Sequence, residues 1–324
     1  MKLLKKILNK LNGLHYPQEY LCLARESFEQ PLHAYIVDDG KPIKDITKLH
    51  SFAGYSPLIF SLSSSATASI RSSTINIAFT QHELHPNGSF KQKDAVAMLY
   101  LKKIKEQKAG NETILYYEGV KGNHCFISSF HQFIIQLYNR LYQKKPGNVY
   151  LSGNLYKQVQ IAYSLPRNIS MVTVRQNNRF NLFPTDLHGP VNEDLYIVSL
   201  RHDGKACEQV ISAGRILLSQ VNSDFYKVAY ALGKNHMQDW KEKENYPFSD
   251  GISANLQLPL PQSALFYREL ELQDSFICGI HRVMLFKTLY RQRLQDTPST
   301  LAHIHNVYAT WRQNNGLPGN YLLR

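Results

Sequence analysis

The segment Arg201-His202-Asp203-Gly204-Lys205 joins the end of an apolar strand pattern to the start of a helical one. At such a junction the first helical N–H groups have no intrahelical acceptor and the dipole turns its positive end outward, so an anion is favoured. Arg201 and Lys205 add two cations there. A solvated basic loop is the bland alternative for any pair of basic residues; the strand-to-helix placement favours the anion site. Asp203 argues in the other direction, because an Asp before a helix can cap it and compete for the same amides. The remaining titratable residues offer less. His82 and His85 lack metalloprotease spacing, and Pro86 makes their segment a loop. His303 and His305 are expected on different faces of a tail helix, as solvent or core residues. The four cysteines are scattered without a CxxC pair, which argues against zinc and against a disulfide-stapled secreted fold and fits a reducing cytoplasm.

The elements that position this segment read most clearly downstream of Gln143-Lys-Lys-Pro-Gly-Asn148, a polar stretch with Pro and Gly that suits a linker. Ser170–Val174 and Phe180–Phe183 form two strands joined by a turn at Gln176-Asn177-Asn178, where asparagine tolerates left-handed backbone. Leu195–Leu200 is a continuous apolar strand, Gly204–Ala213 a short helix, and Arg215–Val221 the next strand. Asn222 then caps a helix that stops at Gly233, and Ala264–Leu272 and Phe276–Leu285 give two closing strands. The order ββ, β, α, β, α, β, β suits a small barrel rather than a doubly wound sheet. From Thr297-Pro298 a tail helix is expected, with Leu301, Ile304, Tyr308 and Trp311 on one stripe. Upstream, Ala34–Val37 and Leu58–Leu62 read as strands, and Asp94–Lys105 and Phe130–Tyr142 have helical spacing. The expectation is thus residues 1–147 as a mixed α/β domain and 148–324 as a mainly β domain with α and a C-terminal helix. Thr47-Lys-Leu-His50 and Leu58–Leu62 align at one constant offset with Thr185-Asp-Leu-His188 and Tyr196–Leu200. That match fits either chance likeness of two hairpins or a duplication.

The chain has 324 residues, 43% hydrophobic and 19% charged, with a net charge of +12, the size and composition of two globular domains. The positive charge suits nucleic acid, an anionic membrane or an anionic cofactor alike. The segment from Met1 to Gly13 sets Leu3, Leu4, Ile7, Leu8 and Leu11 on one helical face among lysines. A terminal helix docked on the core is preferred to a membrane-surface helix, and the lysines exclude a signal peptide. No stretch has the apolarity of a membrane span.

The downstream half resembles the flavin-reductase-like, FMN-binding split-barrel family. The resemblance runs through Leu165–Val174, Arg179–Gly189, Tyr196–Leu200, the helix start at Lys205, and the closing strand up to Gly279 and Val283. It implies a split β-barrel that binds FMN, with a strand and loop beside the flavin ring and a strand feeding a helix whose N-terminus meets the phosphate. The implied cofactor-binding residues are Asn181, Phe183, Pro184, Thr185, Asp186, Ser199, Leu200, Arg201, His202, Lys205 and Ala206. An apolar-then-polar corner at Phe183–Asp186 suits a flat ring with polar edges, and equally suits a core Phe followed by a turn. Asn181 could donate to the ring or cap a strand end. His236 could reach a flavin or nicotinamide edge, or act as a helix C-terminal cation.

Two departures stand out. The family commonly has threonine where Ala206 stands, and the Asp-His pair at the start of its last strand is changed, because Asp274 is followed by Ser275 and Phe276; His281 lies further along that strand, on the same side as Ser275 by the two-residue period. The implied function is an FMN flavoprotein, an NADH- or NADPH-dependent oxidoreductase, with no catalytic residue assigned and no metal. Family members place the flavin between two barrels of a dimer, so a homodimer or, through the weak repeat, an intra-chain pseudo-dimer with a degenerate second barrel is expected. The alternative is a non-catalytic barrel using its basic surface for nucleic acid or an acidic partner. The lack of an RNP-like motif, helix-turn-helix or zinc knuckle argues against nucleic acid.

Overall fold

A computed structural model describes residues 13–64, 72–85, 88–142, 151–297, 299–319 and 321–323. Residues 1–12 of the amphipathic segment, and the linker expected at Gln143–Asn148, lie outside them. After β1 (Tyr20–Leu23) come β2 (His33–Asp38), β3 (Lys41–Asp45), β4 (His50–Tyr55), β5 (Leu58–Ser63) and β6 (Thr74–Thr80). A long hairpin follows, β7 (Ala97–Ala109) and β8 (Glu112–His124), then α1 (Ser129–Tyr142) and α2 (Asn154–Ala162). The second half opens with β9 (Arg167–Asn168), β10 (Ser170–Gln176), β11 (Arg179–Thr185), β12 (His188–Pro190) and β13 (Leu195–Arg201). Next come α3 (Lys205–Ala213), β14 (Arg215–Val221), α4 (Tyr226–Leu232), β15 (Phe248–Ile252) and β16 (Pro259–Pro261). The chain closes with β17 (Ala264–Cys278), β18 (His281–Arg293), β19 (Ala302–His305) and α5 (Asn306–Asn314).

The chain is mainly β and internally duplicated. One seven-stranded antiparallel sheet runs β3-β2-β6-β7-β8-β5-β4, the other β11-β10-β14-β17-β18-β13-β12. The two orders are the same once each strand is replaced by its counterpart. Irregularities recur as well: the register of β7 with β8 shifts at Tyr100/Leu101 and Lys103/Lys105, that of β17 with β18 at Glu269/Leu270 and Leu272/Asp274. Both pairs stand 169 residues apart (100 and 269, 103 and 272). Shared bulge positions are hard to reach by chance, since each marks a place where one strand carries an unpaired residue. The upstream half thus takes the form of the degenerate second barrel, followed by α1 and α2. Its short strands alternate too little for periodicity to assign them. The repeat seen at 47–62 and 185–200 falls on these matching strands, with one change of register. Ser63 pairs with Ile114 and Ser199 with Val283, again 169 apart, so the counterpart of Ser199 is Ser63 rather than Ser61. A two-residue shift keeps every side chain on its face.

Several local expectations hold, and three change. The turn after β10 has Asn177 and Asn178 at φ 49° and 62°, as its asparagines require. Gly214, at φ 65°, ends α3 in the left-handed region, and Asn222 accepts a hydrogen bond from the Asp224 amide. Asp94–Lys105, by contrast, becomes mostly strand: its short apolar run fits either period, and pairing along β8 decides the matter. The tail stripe is likewise split, because Ala302–His305 pairs with β1 and β9 before α5 starts at Asn306. The break expected between Leu272 and Phe276 is only a bulge. β17 runs on to Cys278, the chain turns at Gly279 and Ile280, and the last strand begins at His281.

Each copy has its own core, and a third cluster joins them: Ala53, Ile59, Ile114 and Tyr116 pack with Leu195, Ile197, Val283 and Leu285. Polar bonds cross the same seam, from Ser199 Oγ to Ala53 O at 2.7 Å and from Gln107 Nε2 to Asp274 Oδ2 at 2.6 Å. Gly279, at φ 56°, is pressed into it; a Cβ there would lie 1.9 Å from Ser56 O, whereas its counterpart Gly110, at φ 58°, has nothing within 4 Å. The small β1-β19-β9 sheet and α5 close the chain back onto the first copy, where Tyr308 and Trp311 pack against Phe126. No described helix is long and apolar enough to cross a membrane.

Candidate functional site

A cavity of about 340 Å³ opens beside the seam. One wall is the corner after β11, Pro184, Thr185, Asp186 and Leu187; a second is the end of β13, Ser199, Leu200 and Arg201. The start of α3 contributes Gly204, Ala206 and Cys207, and the 3-10 turn after α4 contributes His236 and Met237. His281, first residue of β18, and Tyr55, from the first copy, complete it. The cavity thus draws on both copies of the barrel.

Seven of the residues implied by the family resemblance meet here: Pro184, Thr185, Asp186, Ser199, Leu200, Arg201 and Ala206. The other four lie elsewhere. Asn181 is fully buried beneath the wall, its amide donating to Gln209 Oε1 at 2.6 Å and Asn235 O at 3.0 Å. Phe183 is fully buried in the second core, 4.9 Å from the His236 ring. His202 and Lys205 are exposed and do not line the cavity. Lys205 pairs with Asp239 at 2.7 Å, and Arg201, at the rim, pairs with Asp203 at 2.7 Å. Asp203 is therefore occupied by Arg201 instead of capping α3, whose N-cap is Gly204 with no side-chain acceptor. Of the first-turn amides, that of Cys207 donates to Gly204 O at 3.0 Å, which leaves those of Lys205 and Ala206 as the candidates for an anion.

The polar wall centres on Asp186. Its Oδ2 accepts bonds from Tyr163 Oη at 2.8 Å and His303 Nδ1 at 3.0 Å, and the far nitrogen of His303 is hydrogen-bonded to Tyr230. Arg167 clamps the backbone behind it: Nε and Nη2 donate to Asp186 O at 3.1 and 2.9 Å, and Nη2 reaches Phe52 O in the first copy at 3.2 Å. Burial alone would raise the pKa of Asp186, but the His303 bond and charge, with Arg167 and Tyr163, outweigh it and hold the carboxyl well below the usual carboxylate range. His303 thus belongs to a strand and to this wall, not to a helix face. His236 Nε2 donates to Pro184 O at 2.7 Å, and burial pushes its pKa down, which removes the helix-terminal cation as its role at neutral pH.

His281 was within reach of sequence reasoning but misplaced. The last strand starts at His281, not at Phe276, and this places His281 at the cavity. Ser275 sits on the opposite strand and accepts from Arg282 Nη1 at 3.1 Å. Burial lowers the His281 pKa to about 4, so the ring is neutral, and its buried Nδ1 has no partner among the described residues. Tyr55 could be anticipated only by accepting the duplication, since it lies some 130 residues upstream of the wall it completes (55 and 184).

No family model and no curated protein matches the chain. The structural neighbours are FMN-binding and flavin-reductase split-barrel proteins. An FMN-binding protein from Thermus thermophilus is 22% identical over 42% of this chain and 79% of its own, with a TM-score of 0.37. BorF, the flavin reductase component of a bacterial tryptophan halogenase, is 17% identical over 47% and 94%, at 0.40. The NADH:FAD oxidoreductase SgcE6 of Streptomyces globisporus is 13% identical over 50% and 96%, at 0.39. Each likeness spans half of this chain or less.

Proposed function

We propose that the cavity binds FMN and that the protein is an oxidoreductase of flavin-reductase-like type, taking hydride from NADH or NADPH. The observation that carries this reading is the joining, in one cavity, of a helix N-terminus without a side-chain cap and Arg201, at the end of the strand before it, to an apolar-and-polar corner at the seam of two barrels. The α3 amides and Arg201 would hold the phosphate, and Ala206, lacking a hydroxyl, would add no bond. Pro184, Leu187, Leu200 and Met237 offer the apolar surface, and Asp186, Ser199 and His281 the polar edges, that a flat heterocycle needs. The size fits small-molecule sites, which begin at about 300 Å³.

Bound flavin would supply the redox chemistry; the chain's part is to bind, orient and exclude water. Neutral His281 offers an unpartnered buried nitrogen near the cavity, and Tyr55 closes it from the first copy. We take the boundary near Asn148 as the division between the two copies, so that one chain supplies the pair of barrels a family dimer would. The mirror position in the first copy is altered: Glu112, counterpart of His281 at the same 169-residue spacing, holds Ser63 Oγ at 2.7 Å. That supports a single site per chain. The visible spectrum of the purified protein tests the reading. A yellow protein that releases FMN on denaturation supports it, and a colourless protein that cannot be reconstituted refutes it.

A further inference from the structure

We propose that Asp186 selects the ligand by accepting a hydrogen bond from the flavin's N3–H, which makes it the residue that reads the imide edge of the ring; the inference rests on the flavin reading above. Both protein donors, Tyr163 Oη and His303 Nδ1, go to Oδ2. A carboxylate only accepts, so His303 carries a proton on Nδ1, while its other ring nitrogen is hydrogen-bonded to Tyr230. Arg167 bonds the backbone oxygen of residue 186, not its side chain. Oδ1 therefore takes no bond from any described residue, and it is not sealed in, for Asp186 lines the cavity with 19% of its side-chain surface open.

An ionised carboxylate oxygen can be matched only by a donor. The oxidised isoalloxazine ring has a single ring N–H, at N3; its other heteroatom edges are acceptors and would be repelled. The site's chemistry thus picks one edge. Burial of the rest of the ring makes the match selective, since a site built to bond an N–H rejects an analogue that lacks it.

Asp186→Asn is a sharp probe for a physical reason. Tyr163 and His303 both donate, so the amide must turn its carbonyl oxygen to them and its NH2 toward the cavity. The substitution replaces an acceptor by a donor at the ligand without changing shape. The test titrates folded apo-protein with FMN and with 3-methyl-FMN, following fluorescence quenching, in wild type and in Asp186→Asn, with circular dichroism confirming the fold. We expect wild type to bind 3-methyl-FMN on the order of tenfold or more weakly than FMN. In Asp186→Asn that preference should vanish, through weaker binding of FMN. Equal affinities of wild type for the two flavins would overturn the inference while leaving the flavin site standing, and this comparison decides the matter even if the variant fails to fold. A preference that survives intact in the folded variant would overturn it too. Failure of wild type to bind either flavin would overturn the flavin reading itself, and this inference with it.

Discussion

Gly110 and Gly279 occupy the same turn in the two copies, at nearly the same backbone angle, and differ in what lies beyond their Cα atoms. Alanine at either site carries the strain of a left-handed L-residue, about 1–2 kcal/mol, offset by roughly 0.4–1 kcal/mol from the less flexible unfolded chain. At Gly110 nothing else changes, since no atom lies within 4 Å of the added methyl. At Gly279 the methyl would sit 1.9 Å from Ser56 O and 2.4 Å from Pro57 Cδ, so the backbone of one copy must move off the other. Overpacking of that kind adds about 1–3 kcal/mol. Gly279→Ala should therefore be less stable than Gly110→Ala by about 1–3 kcal/mol, measured by urea unfolding of both variants beside wild type. Because Gly279 stands two residues before His281, the same variant should also weaken FMN binding, while Gly110→Ala should not. Equal stabilities would refute the claim that the two copies are packed at this turn.

Lys205 is already paired with Asp239 away from the cavity, so Lys205→Ala should weaken FMN binding by less than about 0.5 kcal/mol. Arg201→Ala, at the rim, should cost about 1–2 kcal/mol, with riboflavin indifferent to both; a larger loss at Lys205 in fluorescence titrations would reverse their roles. Arg167→Lys should destabilise the fold by about 2 kcal/mol in urea melts, because a single ammonium cannot reproduce the fork that ties Asp186 O to Phe52 O, and a neutral outcome would deny Arg167 its bridging role. Burial, the largest cause at each, lowers the pKa values of His50, His124, His188 and His281 to about 4, below the ordinary 6.5. The unfolded chain then binds more protons between those values, so this stability is complete above pH 6.5 and lost as pH falls toward 4. The slope in that window should exceed about 1.4 kcal/mol per pH unit, the limit for one group, and a flat profile would contradict it.

The second half was legible because its signals are local. Asparagines at a turn, an apolar strand ending in Arg201, and glycine at 214 each act within a few residues. The first half was not, because its identity lies in strand order and bulge spacing, which no window of sequence displays. Ser170–Val174 and Leu195–Leu200 read correctly, whereas Asp94–Lys105 failed where a partner strand overrode ambiguous spacing. The cavity followed the same rule. Residues contiguous with the strand ends, 184–186 and 199–201, were within reach. Tyr55 and His303 arrive from far along the chain through the seam and the β1-β19-β9 sheet, and only the assembled fold brings them to Asp186. Asn181 and Phe183 lie off the cavity, since the strand they share with Pro184 turns them into the core.

A stoichiometric titration of apo-protein with FMN tests most directly the proposal that the two copies form one flavin site per chain. Quenching of flavin fluorescence should break at one equivalent per 37.3 kDa chain, with the visible band of bound flavin rising in step. Folded protein that leaves the fluorescence of added FMN unchanged would contradict the account.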